Sequence, residues 1–242
     1  MDILVNQILE HKEAAALPSL LESGGLPALI SGLSPVHRAN LAAALENKLE
    51  LPLVVVCPDD TAAESFARDL EAMLGREVDS LIMRDWVFYP AEAVSRQAEQ
   101  KRLAALYRLA AGKTRILTAS VSALIQRCMP PETLLGAALV IENGGSCPPE
   151  QVEQALLRCG YSLTDQVEGP GQFARRGGIL DLFSPGDREP VRIEFWGDEI
   201  DSMGHFDTES QRRSESVDSC TILPAAETLP SLSLGGAEAL AG

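Results

Sequence analysis

Residues Gly32-Leu33-Ser34-Pro35-Val36-His37-Arg38-Ala39 stand where a strand–loop–helix nucleotide site would carry G-x-x-x-x-G-K-[ST]. An apolar run, Leu26 to Ile30, precedes them, and a helix-like stretch, Ala39 to Leu49, follows. In a working loop, backbone N–H groups cradle phosphates, the lysine reaches the outer phosphates, and the hydroxyl holds Mg²⁺. Here only the first glycine, Gly32, is in place. His37 stands for the second glycine, Arg38 for the lysine and Ala39 for the hydroxyl. Ala39 has no oxygen for a metal, and His37 brings a Cβ where close approach favours glycine. The stretch is either a nucleotide site that has lost its chemistry or an ordinary turn. The choice separates an enzyme from an adaptor.

A second constellation lies in Val191-Arg192-Ile193-Glu194-Phe195-Trp196. Its alternation places Val191, Ile193 and Phe195 on one side and Arg192, Glu194 and Trp196 on the other. Arginine and tryptophan on one outward face are the residue types most enriched at binding hot spots. Arg175 and Arg176 precede a strand candidate, Ile179 to Phe183, placed to lie alongside. No lysine occurs after Lys113, so every fixed positive charge beyond it is an arginine, suited to two-pronged carboxylate recognition. From pattern alone, a partner-binding surface and a solvated sheet face are both open.

Other groupings favour structural roles. Asp59-Asp60 follows a strand, but also suits a helix cap; Asp198-Glu199 with Asp201 suits a hairpin turn. His11, His37 and His205 are scattered. The five cysteines, Cys57, Cys128, Cys147, Cys159 and Cys220, contain no C-x-x-C and no metal-ligand spacing. They read as free thiols of a reducing compartment. No G-x-S-x-G or catalytic Cys/His neighbourhood occurs, and no metal or cofactor is expected in this chain.

Positioning these groups requires a sizeable fold. The 242 residues are 45% hydrophobic, enough for two domains. The formal net charge of −15 argues against a long surface that wraps nucleic acid, since such binding draws on neutralised phosphates. Met1-Asp2-Ile3-Leu4 does not open a signal peptide, and no apolar run reaches membrane-span length. A cytoplasmic, soluble protein is the expectation. In the first half, Leu53 to Val56 suits a strand buried on both faces, and Thr61 to Leu74 a helix capped by Asp60 or Thr61. Ser80 to Met83 and Arg115 to Thr118 follow as strands, Val94 to Ala111 and Ser120 to Arg127 as helices. This alternation predicts a parallel α/β sheet. After Pro130-Pro131 the pattern changes. Ala138 to Ile141 reads as a strand, Pro149 to Cys159 as a helix, and Ile179 to Phe183, Val191 to Trp196 and Glu199 to Phe206 as antiparallel strands joined by glycine turns. The expected organisation is an α/β domain over residues 1–137, a smaller α+β domain over 138–224, and a linker or the start of a further lobe over 225–242.

The stretch Gly171-Gln172-Phe173-Ala174-Arg175-Arg176-Gly177-Gly178-Ile179-Leu180-Asp181-Leu182-Phe183 resembles a signature of bacterial transcription-repair coupling factors. Pro190 to Ser202, Phe206-Asp207, Ser210-Gln211-Arg212 and Ile222-Leu223-Pro224-Ala225 with Glu227 continue it. Upstream, Asp85-Trp86, Tyr89-Pro90, Arg102-Leu103 and Leu106-Tyr107 fit as well. UvrB, the damage-verifying subunit of excision repair, shares this module. UvrB relatives keep an intact phosphate loop, and insert a long DNA-clamping hairpin after the region matching Tyr89 to Ala93. Both are missing here, so the resemblance favours the coupling factors. It implies a partial RecA/helicase-like parallel sheet with a degenerate phosphate loop (Gly32, His37, Arg38, Ala39), followed by an α+β UvrA-interaction domain. It implies a non-catalytic adaptor that recruits UvrA through Arg176, Arg192 and Trp196, the last usually phenylalanine in relatives. ATP and Mg²⁺, RNA polymerase and DNA would engage other regions of the full-length protein, whose C-terminal domain is autoinhibitory. The alternative is a fragment of a UvrB-like ATP-dependent enzyme.

Overall fold

The computed structural model describes residues 5–24, 27–84 and 97–229. Leu26, Asp85, Trp86, Tyr89, Pro90 and the helix start expected at Val94 lie outside the described residues, as does the tail beyond residue 229. After a 3-10 turn at Gln7–Glu10, the elements are α1 (Leu17–Glu22), α2 (Pro35–Leu49), β1 (Leu53–Cys57), α3 (Asp60–Leu74), β2 (Asp79–Leu81) and α4 (Gln97–Ala110). Then come β3 (Ile116–Ser120), α5 (Val121–Ile125), α6 (Pro131–Ala137), β4 (Leu139–Glu142), α7 (Pro149–Arg158), β5 (Ser162–Leu163) and β6 (Gln172–Arg176). The chain closes with β7 (Ile179–Leu182), β8 (Val191–Trp196), β9 (Glu199–Phe206), β10 (Arg213–Ser216) and β11 (Ser219–Ile222). They form two compact units, Met1–Met83 with Lys113–Gln126, and Arg84–Gly112 with Arg127–Gly242. Helices α4 and α6, which fall within the stretch 1–137, group with the second unit.

The first unit holds the expected parallel sheet, in the order β1-β3-β2. Its helices pack through small residues: Ala39, Ala43 and Ala44 of α2 share a core with Ala67 and Leu70 of α3 and Ile116 of β3. Asp59 caps α3 by accepting from the Ala62 N–H at 2.8 Å, and Gly75 ends it with φ +67°. This displaces Asp60 and Thr61 from the expected cap. Glu46 of α2 is buried and takes Arg76 on one oxygen (2.6 Å) and Arg115 on the other (2.8 Å), so its charge is compensated.

Two expectations for this unit fail. β1 is not buried on both faces: Val54 and Val56, alternate residues on one face, stand 54% and 55% exposed. The stretch ahead of Gly32 also forms no strand. Residues 27–31 carry no regular structure, and Leu29 is 95% exposed. With no sheet strand feeding it, the glycine loop lacks the support of a strand–loop–helix phosphate site.

The second unit is built on a six-stranded sheet in the order β10-β9-β8-β7-β6-β5, antiparallel except for the β5–β6 pair. Its inner face is covered by α7, whose Val152 and Leu156 share a core with Leu180, Leu182, Val191 and Ile193. β4 and β11 form a separate antiparallel ribbon that closes this core with Ile141, Cys220 and Ile222. Helix α4 is joined to the stretch after β11 by a buried ion pair. Arg102 Nε donates to Glu227 Oε2 at 3.0 Å, and the Glu227 N–H donates to Glu99 Oε1 at 2.7 Å.

Candidate functional site

The outer face of the six-stranded sheet follows from strand alternation and register. Val191 and Ile193 are buried inward, whereas Trp196 is 82% exposed. Pairing of Asp181 with Arg192, Ile179 with Glu194, and Arg176 with Ile179 puts these side chains on the same outer face. A bulge between Glu194 and Phe195 places one extra residue, Asp201, on β9 and leaves the β8 alternation unbroken. Two hairpin turns then bring the ends of β6 and β8 to one end of the sheet. Arg176-Gly177-Gly178-Ile179 uses Gly177 at φ +62°, and Trp196-Gly197-Asp198-Glu199 uses Gly197 at φ +64°. Such two-residue turns need positive φ, which glycine supplies without strain. Gly178 meets a second constraint, because a Cβ there would lie 2.8 Å from the Phe195 carbonyl oxygen. Arg176, Ile179, Glu194 and Trp196 therefore share one end of this face.

Arg192 lies further along it, and its setting differs from the sequence expectation. Its two-pronged carboxylate is the chain's own Asp181. Nε donates to Oδ1 at 2.7 Å, Nη2 donates to Oδ2 at 2.8 Å, and Nη1 donates to the Gln211 carbonyl at 3.2 Å. The guanidinium stacks 4.8 Å from the centre of the Phe206 ring and is 18% exposed. The Asp181 hydrogen bonds push the Arg192 pKa further up. Asp181, Gln211 and Phe206 entered the sequence reading only as part of the family resemblance, with no role beside Arg192. The available signal was an aspartate inside the apolar run I-L-D-L-F, where an unpaired buried carboxylate would be costly.

The remaining arginines divide by face. Arg176 is exposed, and its Nη2 donates to the Asp165 carbonyl. Arg175, its neighbour, points to the opposite face and bridges Glu150 and Glu153 of α7, which holds the Glu150 carboxyl below its ordinary pKa. Arg213 of β10 crosses Gly204, where a Cβ would collide with it. It donates to Ser202 Oγ at 2.9 Å and to the Met203 carbonyl at 2.6 Å, with Glu194 3.8 Å away.

At the other candidate, Ser34 caps α2. Its Oγ accepts from the His37 N–H at 3.4 Å and sits 2.8 Å from His37 Nδ1. Arg38 Nε turns back to the Leu33 carbonyl at 3.2 Å, and Ala39 is fully buried in the core. Ser34 thus takes two N–H groups of the first turn, His37 on its hydroxyl and Arg38 on its carbonyl. Asp59 serves as a cap, as its position allowed, and Asp198 lies in the hairpin turn. Among the described residues no group of three or more His, Cys, Asp or Glu side chains is placed to hold a metal ion. No described helix is long and apolar enough to cross a membrane.

Residues 139–227 match the family model for the UvrB interaction domain. The chain is 30% identical over 231 residues to the transcription-repair-coupling factor of Bacillus subtilis (strain 168), covering 95% of this chain and 20% of that protein. It is 34% identical over 203 residues to the transcription-repair-coupling factor of Escherichia coli (strain K12), covering 82% of this chain and 17% of that protein. To the corresponding protein of Myxococcus xanthus it is 35% identical over 208 residues, with the same coverages of 82% and 17%. The chain thus spans about a fifth of the length of these curated relatives.

Proposed function

We propose, from the premise that residues 139–227 belong to the UvrB interaction domain family within a chain related to transcription-repair coupling factors, that this protein is a non-catalytic adaptor which docks UvrA. The docking surface is the outer sheet face carrying Arg176, Arg192 and Trp196. One observation carries the reading: an 82%-exposed tryptophan and the exposed Arg176 share one end of the outer sheet face in the matched domain. A large apolar ring left in water gains most when a partner covers it, and tryptophan and arginine dominate interface energetics. In a full-length coupling factor, such docking would deliver UvrA to a stalled RNA polymerase in the cytoplasm. Nucleotide chemistry, RNA polymerase contacts and DNA contacts would belong to other regions of that protein. The Gly32 to Ala39 loop takes no part: Ser34 caps its helix, Ala39 offers no Mg²⁺ ligand, and the described residues 27–31 ahead of it form no strand.

Calorimetric titration of purified UvrA with this chain tests the reading. Saturable binding is expected, unaffected by ATP binding to this chain. No heat and no co-elution at tens of micromolar would refute it.

A further inference from the structure

The two arginines of the proposed docking face are held in different ways. Arg192 lies against a buried aspartate, so the pair is close to charge-neutral. Three of its five N–H donors are used within the chain, and two remain. Arg176 is held by a main-chain carbonyl, makes no ion pair among the described residues, and lines a solvent-open hollow with Leu163, Thr164, Asp165 and Arg175.

The frame around Arg192 is also built with some backbone strain. Gln211 adopts φ +58°, a left-handed conformation uncommon for a residue with a Cβ. Its N–H donates to the Asp207 carbonyl at 2.8 Å, and its side-chain Nε2 donates to the Thr208 carbonyl at 2.7 Å. Held in this way, Gln211 aims its own carbonyl at Arg192 Nη1. A carboxylate, a carbonyl and an aromatic face, from three separate segments, thus fix one guanidinium plane.

We propose that Asp181 is a positioning residue for partner binding: it clamps Arg192 into a fixed, charge-compensated donor plate, and Arg176 is the arginine that receives a partner carboxylate. This rests on the reading of the face as the UvrA-docking surface. The two arginines should then carry different signatures. Charge recognition by Arg176 is screened by salt, whereas directional hydrogen bonding by the compensated Arg192 is much less so. Losing Asp181 frees the Arg192 charge but loses its orientation.

The test is the affinity of this chain for purified UvrA, measured across a range of KCl concentrations. Arg176→Gln should weaken binding and flatten the salt dependence. Asp181→Asn should weaken binding at least tenfold in protein whose circular dichroism shows it folded, and should speed solvent exchange of the Arg192 Nε–H in NMR spectra. A purely structural aspartate would lower thermal stability and leave the affinity of the folded protein unchanged. If Asp181→Asn does not fold, Arg192→Lys carries the same test. It keeps the charge beside Asp181 but not the two-pronged contact, so binding should weaken at least tenfold with the salt slope of the native chain. Folded Asp181→Asn or Arg192→Lys binding within twofold of the native chain, or an unchanged slope for Arg176→Gln, overturns the proposal. Failure of the unmodified chain to bind UvrA would instead refute the docking reading beneath it.

Discussion

Replacing Trp196 by alanine removes a ring that is 82% exposed at the end of β8. In the free chain the ring contributes little to the core, so stability should change by no more than about 0.5 kcal/mol. In a complex the arithmetic differs. A tryptophan covers roughly 150–250 Å² when buried, which at about 25 cal/mol per Å² corresponds to about 4–6 kcal/mol. Ordering the side chain and imperfect packing at the edge lower this to about 3 kcal/mol, or about a hundredfold in Kd. Calorimetric titration of UvrA with Trp196→Ala reads that change, and a thermal melt of the same sample reads stability. Trp196→Phe, which keeps an aromatic plate, should retain most of the affinity. If the native chain binds UvrA and Trp196→Ala binds within about fivefold of it, the ring is not the anchor and the hot-spot argument fails.

Three further outcomes follow from the second unit. Arg102→Met strands Glu227 in a buried site where its Oε1 already lacks a hydrogen-bond partner; the unit should lose roughly 3 kcal/mol, near the low end for a broken buried pair because Arg84 remains 3.8 Å away. Adding Glu227→Gln to that variant should restore most of the loss in chemical denaturation, and no recovery would refute the charge argument. Of the cysteines, exposed Cys128 should alkylate within minutes at pH 8, whereas Cys220, pushed up to about 12 by burial and by Asp187, should resist; equal rates by mass spectrometry would contradict this. Desolvation of the carboxyl by surrounding protein atoms raises Asp187 from its ordinary 3.8 to about 6, partly offset by His205 and Arg108, although the residue as a whole stays exposed. The native state then holds this proton more tightly than the unfolded chain, so stability falls as pH rises from about 4 to about 6 and levels off above. Solvent exposure of Asp187 limits the size of the effect. Asp187→Asn should flatten that slope, and a carboxyl NMR titration midpoint near 4 would refute the shift.

Much of the architecture was written locally. The Val191 to Trp196 alternation fixed which side chains face the core, because a strand has a period of two whatever surrounds it. Gly197-Asp198 marked the β8–β9 hairpin turn, whereas the Gly177-Gly178 turn went unread, and repeated strand–helix signals marked the parallel sheet. Asp59 at the start of α3 is equally local, since a cap needs only the N–H groups that follow it.

What the sequence by itself determined was therefore which residues face outward and what chemistry they bring: an arginine and a tryptophan on one side of β8, and a loop without a Mg²⁺ ligand. Tertiary structure decided how that chemistry is used. The partner of Arg192 is Asp181 on the neighbouring strand, set by register, and the carbonyl above it comes from a loop beyond β9. Residues 27–31 ahead of Gly32 are apolar enough for a strand but form none, and one face of β1, carrying Val54 and Val56, stays exposed. The pairing of β4 with β11 and of Arg102 with Glu227 joins segments far apart in the chain. Local periodicity reports the direction of a side chain, but not the group it meets, since that group is delivered by strand order and register across the folded chain.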